Sequence, residues 1–324
     1  MGSKDSSVPG RLGLLRLARQ GHGILAPSST RNNLGVPELP DLRILAEAFT
    51  SALGGRALSA WRVTQPLVLR GTSAELDGLV GQHLDSVDQR GKFLTFRFSR
   101  DRIVINAMLT GRLGLAAPGT KPFPQTAMTF TFGGRPGRPS DVAAWTKDAA
   151  WLPPDEDPVE LRYRDPKRMG KVYVVPQGVE RAIAGWDELG PDADDPALDL
   201  AAWRTRITRH TGELMALLKN QAFVAGIGNG YSDEVLWAAR LAPFRKRSSL
   251  ADEEVERLWR ATPEVMRWAI DELHQRVPPR FEVEQRTFLN VHRKGGQPCP
   301  RCGTTLSEVS PGGFVTTWCR GCQV

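Results

Sequence analysis

The chain has 324 residues, of which 40% are hydrophobic and 24% charged, so its composition is that of a folded protein rather than a disordered or fibrous one. No apolar run approaches the roughly 18–20 residues of a membrane-spanning helix, which argues against a membrane protein. A net charge of +7 favours a polyanionic partner, with nucleic acid first, although a basic enzyme of another kind would share it. The length leaves room for two domains and a small module.

Residues 1–36 differ in composition from the rest of the chain. They carry five basic residues against one acidic residue, together with several serines and glycines. The segment is either a disordered leader, of the Arg- and Ser-rich kind that is removed, or a stretch that is never translated because Val36 is the literal reading of a GTG start codon. Removal of the leader in the first case, or of the initiating methionine in the second, would leave Pro37 as the first residue of the working protein.

Pro37 and Glu38 place an imino-acid nitrogen directly before a carboxylate. The pair suits nucleophilic and acid/base chemistry only if the proline nitrogen is a free amine, and here Val36 makes it an amide. The alternative is a rigid turn that enters a helix, because Pro37 and Pro40 flank a helix start. These residues by themselves favour the helix entry.

The elements that follow change from helix to strands and back to helices. Apolar residues from Leu42 to Leu53 recur at helical spacing, and Gly54 and Gly55 end this predicted helix. Short β-rich runs broken by turn residues then predict a mostly antiparallel sandwich. The predicted strands are 61–63, 67–69, 92–98, 103–109, 113–115, 126–132, 159–163 and 171–175.

A helical half begins after an acidic stretch at 186–196, which we interpret as a hinge. Its predicted helices are 200–210, 213–220, 232–240 and 251–275. The sequence therefore predicts an α+β protein with three parts beyond the leader, at 37–189, 190–285 and 286–324. We expect a monomer, since no coiled-coil or sticky helix stands out.

The last part holds all four cysteines, as two Cys-x-x-Cys pairs with 16 residues between them. Each pair can chelate from a tight turn, and four thiolates fill a tetrahedral site, so we expect a structural zinc ion. A redox disulfide is the weaker alternative. No cysteine is left for a disulfide framework, which fits a reducing, cytoplasmic location. The ligands would be Cys299, Cys302, Cys319 and Cys322.

A glycine-rich turn lies between two predicted helices. Gly226 and Gly228 let the backbone approach a ligand, and the following helix presents N–H groups and a positive dipole end that suit a phosphate. Asn229 can add an amide donor. A packing turn between two helices explains the same residues equally well.

Together these motifs resemble the formamidopyrimidine-DNA glycosylase and endonuclease VIII family. They are Pro-Glu-Leu-Pro at 37–40, Arg-Gly-Lys at 90–92, Asp-Pro-Lys-Arg-Met-Gly at 165–170, the glycine-rich turn and the cysteine pairs. The resemblance spans 37–322 in order and spacing. It implies a β-sandwich catalytic domain with flanking helices at 37–189, a helix–two-turn–helix DNA-binding domain at 190–285 and a zinc-finger module at 286–324.

The resemblance also implies roles for individual residues. Pro37 corresponds to the nucleophile that attacks the sugar of a flipped-out nucleotide, and Glu38 to the acid/base. Lys92 corresponds to the lysine that holds the phosphate of the lesion, although a solvent-facing lysine at a strand end is the alternative. Asn229, with Gly226 and Gly228, corresponds to a phosphate-binding turn.

The chain departs from the family at the residues that would contact DNA. Leu109 and Met169 correspond to intercalating residues, and Lys167, beside Arg168, replaces an arginine. Phe314 occupies the position of the usual finger arginine, so it either stacks on a base or packs under the ribbon, and Arg320 or Arg301 would have to supply the missing charge. With a short link after Pro279, these changes leave the lesion preference open.

The implied function is that of a bifunctional DNA glycosylase and abasic-site lyase acting on oxidised or ring-opened bases in damaged duplex DNA, with no cofactor for its chemistry. A catalytically impaired damaged-DNA-binding protein on the same scaffold is the alternative, because Pro37 is blocked and Phe314 lacks charge. A zinc-ribbon protein that binds RNA is a weaker one.

Overall fold

The helix predicted after the Pro-Glu pair is α1, Leu39–Leu53, and Gly54 ends it as predicted. The structure, a computed structural model, describes residues 35–136, 149–277 and 280–324. The predicted leader therefore lies outside the described residues, except for Gly35 and Val36. Leu42, Phe49 and Leu53 pack on the buried side of α1 against the sheets that follow.

Two sheets form the predicted sandwich. One sheet has the strand order β1-β7-β8-β6 and the other β2-β9-β5-β4-β3, with only β2 and β9 parallel. Phe98 and Phe132 stack across the two sheets, with ring centroids 6.3 Å apart. The strands are β1 Leu58–Val63, β2 Leu69–Arg70, β3 Leu84–Arg90, β4 Phe93–Phe98, β5 Arg102–Asn106, β6 Arg112–Ala116, β7 Thr126–Phe132, β8 Val159–Arg164 and β9 Lys171–Val175.

The sequence analysis missed β3 and one short helix, and it misplaced one neighbouring strand. In β3 only Leu84 and Val87 are buried, since this strand lies at a sheet edge and carries mostly polar side chains. The predicted strand at 67–69 is a 3-10 turn, Pro66–Val68, followed by the two-residue β2. The short helix α2, Ser73–Leu79, was not predicted either.

Four helices build the second half around their own core. They are α3 Leu200–Ile207, α4 Leu214–Lys219, α5 Asn229–Ala239 and α6 Asp252–His274, close to their predicted positions. Trp203 and Tyr231 are fully buried in this core. The stretch at 186–196, predicted as a hinge, is attached to the helical half, because the Gly190 N–H donates to the Gln221 carbonyl (2.9 Å) and the Ala193 N–H to the Ala225 carbonyl (3.1 Å).

A two-stranded ribbon, β10 Leu306–Val309 and β11 Thr316–Cys319, completes the chain. The segment leading into it is fixed to α5 by two neighbouring carboxylates, and Asp233 contacts His292 Nδ1 at 2.6 Å. Glu234 accepts the N–H groups of Asn290 (2.9 Å), Val291 (2.8 Å) and His292 (2.9 Å). Among the helices that the structure describes, none combines the length and apolar character needed to cross a membrane.

We predict that Glu234→Ala destabilises the protein by about 2–4 kcal/mol, because three N–H groups around a buried carboxylate lose their acceptor. Urea unfolding measures the loss. The control is Glu256→Ala, which removes only a surface pair with Arg260 and should cost less than about 0.5 kcal/mol. Equal losses in the two variants would contradict the role of Glu234.

Candidate active site and nucleic-acid interface

The Glu38 side chain joins the two halves of the protein. Its carboxylate is buried and accepts the N–H groups of Gly228 (2.5 Å), Gly230 (2.9 Å) and Tyr231 (3.3 Å) at the start of α5. Beside this contact the Leu39 N–H donates to the Gly226 carbonyl (2.9 Å). The N-terminus of α5, predicted to suit a phosphate, is therefore largely occupied by the protein's own carboxylate, which its positive end stabilises.

The two glycines of the turn are required by close packing. Gly226 has a φ of +95°, and a side chain there would meet Leu39, with Cβ atoms 2.5 Å apart. A Cβ on Gly228 would lie 2.6 Å from the Glu38 Cδ and 2.8 Å from the Lys92 Nζ. Glu38 and Lys92, the two residues predicted to be catalytic with Pro37, thus both lie against this turn.

Lys92 lies in the tight turn between β3 and β4 and is half-buried. Burial lowers the pKa of its ammonium group, and the neighbouring Glu38 carboxylate partly opposes this shift. A lysine with a lowered pKa in a partly closed site is a common feature of catalytic centres. Its position beside Glu38 supports the functional interpretation over that of a strand-end lysine.

Arg286, which the sequence analysis did not single out, lies among three carboxylates of the site. Its guanidinium contacts Asp41 (2.6 Å) and Glu284 (2.9 Å), lies 3.7 Å from Glu38, and stacks over the Tyr231 ring at 4.5 Å. Burial raises the pKa of Asp41 to about 6 although Arg286 opposes the shift. No local pattern marks Arg286, because Asp41 and Glu38, the partners that place it in the site, are distant in sequence.

The chain before Pro37 is bound within the site. Pro37 is buried, and its nitrogen is an amide because Val36 precedes it. The Gly35 N–H donates to Glu284 Oε2 (3.0 Å), and the Gly35 carbonyl accepts from Arg112 Nη2 (2.6 Å). Neither Arg112 nor Glu284 was predicted as a site residue.

The two loops predicted to enter DNA are fixed by one buried carboxylate. Asp165 accepts the Gly170 N–H (2.7 Å) and the hydroxyls of Tyr163 (3.3 Å) and Thr110. The turn after β5 holds both Leu109 and Thr110. Leu109 is therefore in a turn and not in the strand predicted at 103–109.

Strained backbone occurs in both of these loops. Met108 and Arg168 have φ values of +50° and +56°, which are unusual for residues other than glycine. Leu109 is half-buried, whereas Lys167, Arg168 and Met169 are exposed. The structure thus brings the predicted DNA-inserting residues together in an ordered, solvent-facing pair of loops.

The ribbon turn lies against the glycine-rich turn. The Asn229 side-chain amide donates to the Val315 carbonyl, and its Oδ1 accepts from Lys219 Nζ at 3.3 Å. Lys219, at the end of α4, was missed by the sequence analysis because a single lysine carries no pattern. It lies close enough to Lys92 to contribute to the lowering of that residue's pKa, after burial and Arg286.

The side chains of the ribbon that were considered for DNA contacts differ in exposure and in the partners they already have. Phe314 is 56% exposed and so does not pack under the ribbon. Arg301 stacks over the Trp237 ring at 4.1 Å and donates to the Trp237 carbonyl (2.8 Å), so it is held away from any phosphate. Arg320 is exposed beside Trp318, with the guanidinium carbon 5.7 Å from the ring centroid.

The four cysteines converge as predicted. Their sulfur atoms lie within 4.8 Å of one another, with Cys299 and Cys322 at 3.9 Å and Cys302 and Cys319 at 3.4 Å. Four thiolates about 2.3 Å from a tetrahedral metal ion lie about 3.8 Å apart, so the group fits such an ion.

Comparison with known proteins gives the family. The model of the formamidopyrimidine-DNA glycosylase N-terminal domain matches residues 36–172, and that of the H2TH domain matches residues 189–277. A formamidopyrimidine-DNA glycosylase of Thermomicrobium roseum is 32% identical over 306 residues, which cover 89% of this chain and 99% of that protein. The chain belongs to the formamidopyrimidine-DNA glycosylase and endonuclease VIII family of DNA glycosylases.

Solved structures of this family share the fold. The MutM (Fpg) protein of Thermus thermophilus superimposes with a TM-score of 0.71 at 28% identity, covering 89% of this chain and 98% of that protein. A complex of the Lactococcus lactis Fpg with DNA containing an abasic site superimposes with a TM-score of 0.72 at 21% identity, covering 89% of this chain and 99% of the other. The family resemblance and the predicted α+β fold class are therefore confirmed.

Proposed function

We propose that this protein, once Pro37 is its first residue, is a bifunctional DNA glycosylase and abasic-site lyase of base-excision repair. The convergence of Glu38 and Lys92 on the glycine-rich turn, directly beside Pro37, carries this proposal. Family membership and the likeness to an Fpg–DNA complex support it. We infer a cytoplasmic monomer that binds damaged duplex DNA.

The proposed chemistry follows from the atoms at the site. The Pro37 amine attacks C1′ of a flipped-out nucleotide, the bond from C1′ to the base breaks, and the base leaves with its bonding electrons and takes up a proton. The Glu38 carboxylate takes the proton that the Pro37 nitrogen releases on attack and donates it to the ring oxygen, so the sugar opens and leaves an iminium ion on Pro37. Removal of a proton from C2′ then expels the 3′ phosphate, and water releases the product from the proline.

Other side chains around the site would bind the DNA. We infer that Lys92, which has a lowered pKa, contacts the phosphate of the lesion through its ammonium group. Asn229 and Lys219, which contact each other at the edge of the glycine-rich turn, would form a second polar contact with the DNA backbone. Leu109, Lys167 and Met169, in loops fixed by Asp165, would fill the space left by the flipped nucleotide.

One observation favours a second function. In the chain as written the Pro37 nitrogen carries Val36, and Phe314 gives the ribbon turn no charge. A protein that kept residues 1–36 would bind damaged DNA without cleaving it through Pro37.

Borohydride trapping decides between the two functions. We predict that a chain starting at Pro37 forms a covalent adduct with an abasic-site duplex, whereas the full chain forms none through Pro37, because an amide nitrogen cannot form an iminium ion. In the shorter chain, Glu38→Gln should lower excision of damaged bases at least ~100-fold, since a general acid contributes about that much.

The matched control is Glu47→Gln in the same helix, where the carboxylate contacts His274 instead of the site. It should excise bases at the rate of the unchanged protein. If both chains bind the duplex and neither is trapped, the binding function replaces the enzymatic one.

We predict that Lys219→Met weakens binding to an abasic-site duplex and lowers the slope of log Kd against log salt by about 0.9, as expected for one lost phosphate contact. Lys121→Met, a change at an exposed lysine outside the glycine-rich turn and the ribbon, is the control and should leave the slope unchanged. A slope that falls for Arg320→Gln but not for Lys219→Met would assign the contact to the ribbon instead.

We further infer that Cys299, Cys302, Cys319 and Cys322 hold one structural zinc ion, which would stabilise the ribbon without taking part in the chemistry. The Cys302→Ser protein should contain less than half an equivalent of zinc by elemental analysis, because a tetrahedral site loses one of its four ligands. A Ser307→Ala change in the same ribbon is the control. Full zinc content in Cys302→Ser would contradict the assignment.

A further inference from the structure

The residue two positions before Pro37 is held by two side chains that the proposed chemistry does not use. Gly35 donates its N–H to Glu284 and accepts from Arg112 with its carbonyl. Arg112 is 6% exposed, and its Nη2 lies 3.8 Å from Glu284 Oε2, so the two groups hold the N–H and the C=O of one residue side by side. A Cβ on Gly35 would lie 2.3 Å from Glu284 Oε1, which shows how closely this backbone fits the carboxylate.

The space occupied by this peptide is also the space that a nucleotide needs. In the full chain the Pro37 nitrogen is bonded to the Val36 carbonyl carbon, and in the proposed intermediate the same nitrogen is bonded to C1′ of the sugar. In the iminium ion, as in the amide, this nitrogen is planar and has one substituent outside its ring, so C1′ takes the place of the Val36 carbonyl carbon. The base, attached to C1′ before the attack, then extends towards the groups that surround Val36 and Gly35.

We propose that Arg112 and Glu284 bind the polar edge of the flipped-out base, and that the peptide before Pro37 occupies this site in the full chain. The proposal rests on the proposed glycosylase function and names its substrate class. Gly35 offers one N–H donor and one C=O acceptor, received by a carboxylate and a guanidinium. A base with an N–H beside a C=O offers the same two groups to the same two side chains.

This edge is present in damaged bases derived from uracil, thymine or guanine. Bases derived from cytosine or adenine present an unprotonated ring nitrogen beside an amino group, which is the opposite arrangement. The Glu284 carboxylate would then face a lone pair, and the Arg112 guanidinium would face an amino donor, so each side chain would lose the hydrogen bond that the base supplies. Removal of residues 1–36 would therefore free both the amine and the site that selects the base.

Single-turnover excision tests the proposal with the chain that starts at Pro37. Two duplexes are compared, identical except that one contains 5-hydroxyuracil and the other 5-hydroxycytosine, beside a third with an abasic site. We expect the 5-hydroxyuracil to be excised at least ~10-fold faster, because an unpaired buried polar group costs about 1–3 kcal/mol. Equal rates for the two bases would overturn the proposal.

Glu284→Gln assigns the preference to its residue. A glutamine amide can donate as well as accept, so we expect the ratio of the two rates to fall at least threefold. Cleavage of the abasic-site duplex, which has no base, is measured beside it, because Glu284 also pairs with Arg286. Glu282→Gln is the matched control, two residues earlier, where the carboxylate lies 3.6 Å from the exposed Arg280. An unchanged ratio would overturn the assignment, whatever the rate of abasic-site cleavage.

Binding without chemistry separates this proposal from the enzymatic one. Duplexes with 2′-fluorinated 5-hydroxyuracil or 5-hydroxycytosine resist excision, so their Kd ratio reports the preference even in a protein that forms no covalent adduct. A preference that depends on Glu284 in a protein that borohydride does not trap would retain the base-edge site and reject the lyase. Trapping without any preference would retain the lyase and reject the base-edge site.

Discussion

The contact between the Glu38 carboxylate and the start of α5 is the interaction on which the site depends. It satisfies N–H groups that a helix terminus leaves without partners, and it places a negative charge where the helix dipole stabilises one. It also links the first helix of the sandwich half to the helical half across 190 residues of sequence. One side chain thus fixes both the position of the proposed acid and the relation between the walls of the site.

A balance of buried charge follows from that arrangement. Glu38, Asp41 and Glu284 surround Arg286, which stacks over Tyr231, and Arg112 lies 3.8 Å from Glu284. Buried charges are tolerated when they are paired and hydrogen-bonded, and removal of the arginine would leave three carboxylates close together. Lys92 lies at the margin of this group, so its ammonium is less stabilised than in water and its proton is more easily lost.

The sequence predicted the residues that carry short motifs, and it missed those that act over long separations. The order of Pro37, the glycine-rich turn and the cysteine pairs was sufficient for the family, and β7 and β9 have the predicted bounds. Gly35 and Glu284 are 249 residues apart, so no local spacing relates them. Strand β3 was not predicted because an edge strand can be polar, and its sequence then lacks the alternation of apolar and polar residues that indicates a strand.

Asp165 has a consequence for how the protein would search for damage. Because this carboxylate already fixes the turn holding Leu109 and the loop holding Met169, DNA would not have to order either segment on contact. Little conformational entropy is then lost at each encounter, and the time spent at an undamaged base pair is set by the ease of unstacking rather than by loop rearrangement. A stiff pair of loops would probe the local deformability of the duplex, which is greatest where a base is damaged or mispaired.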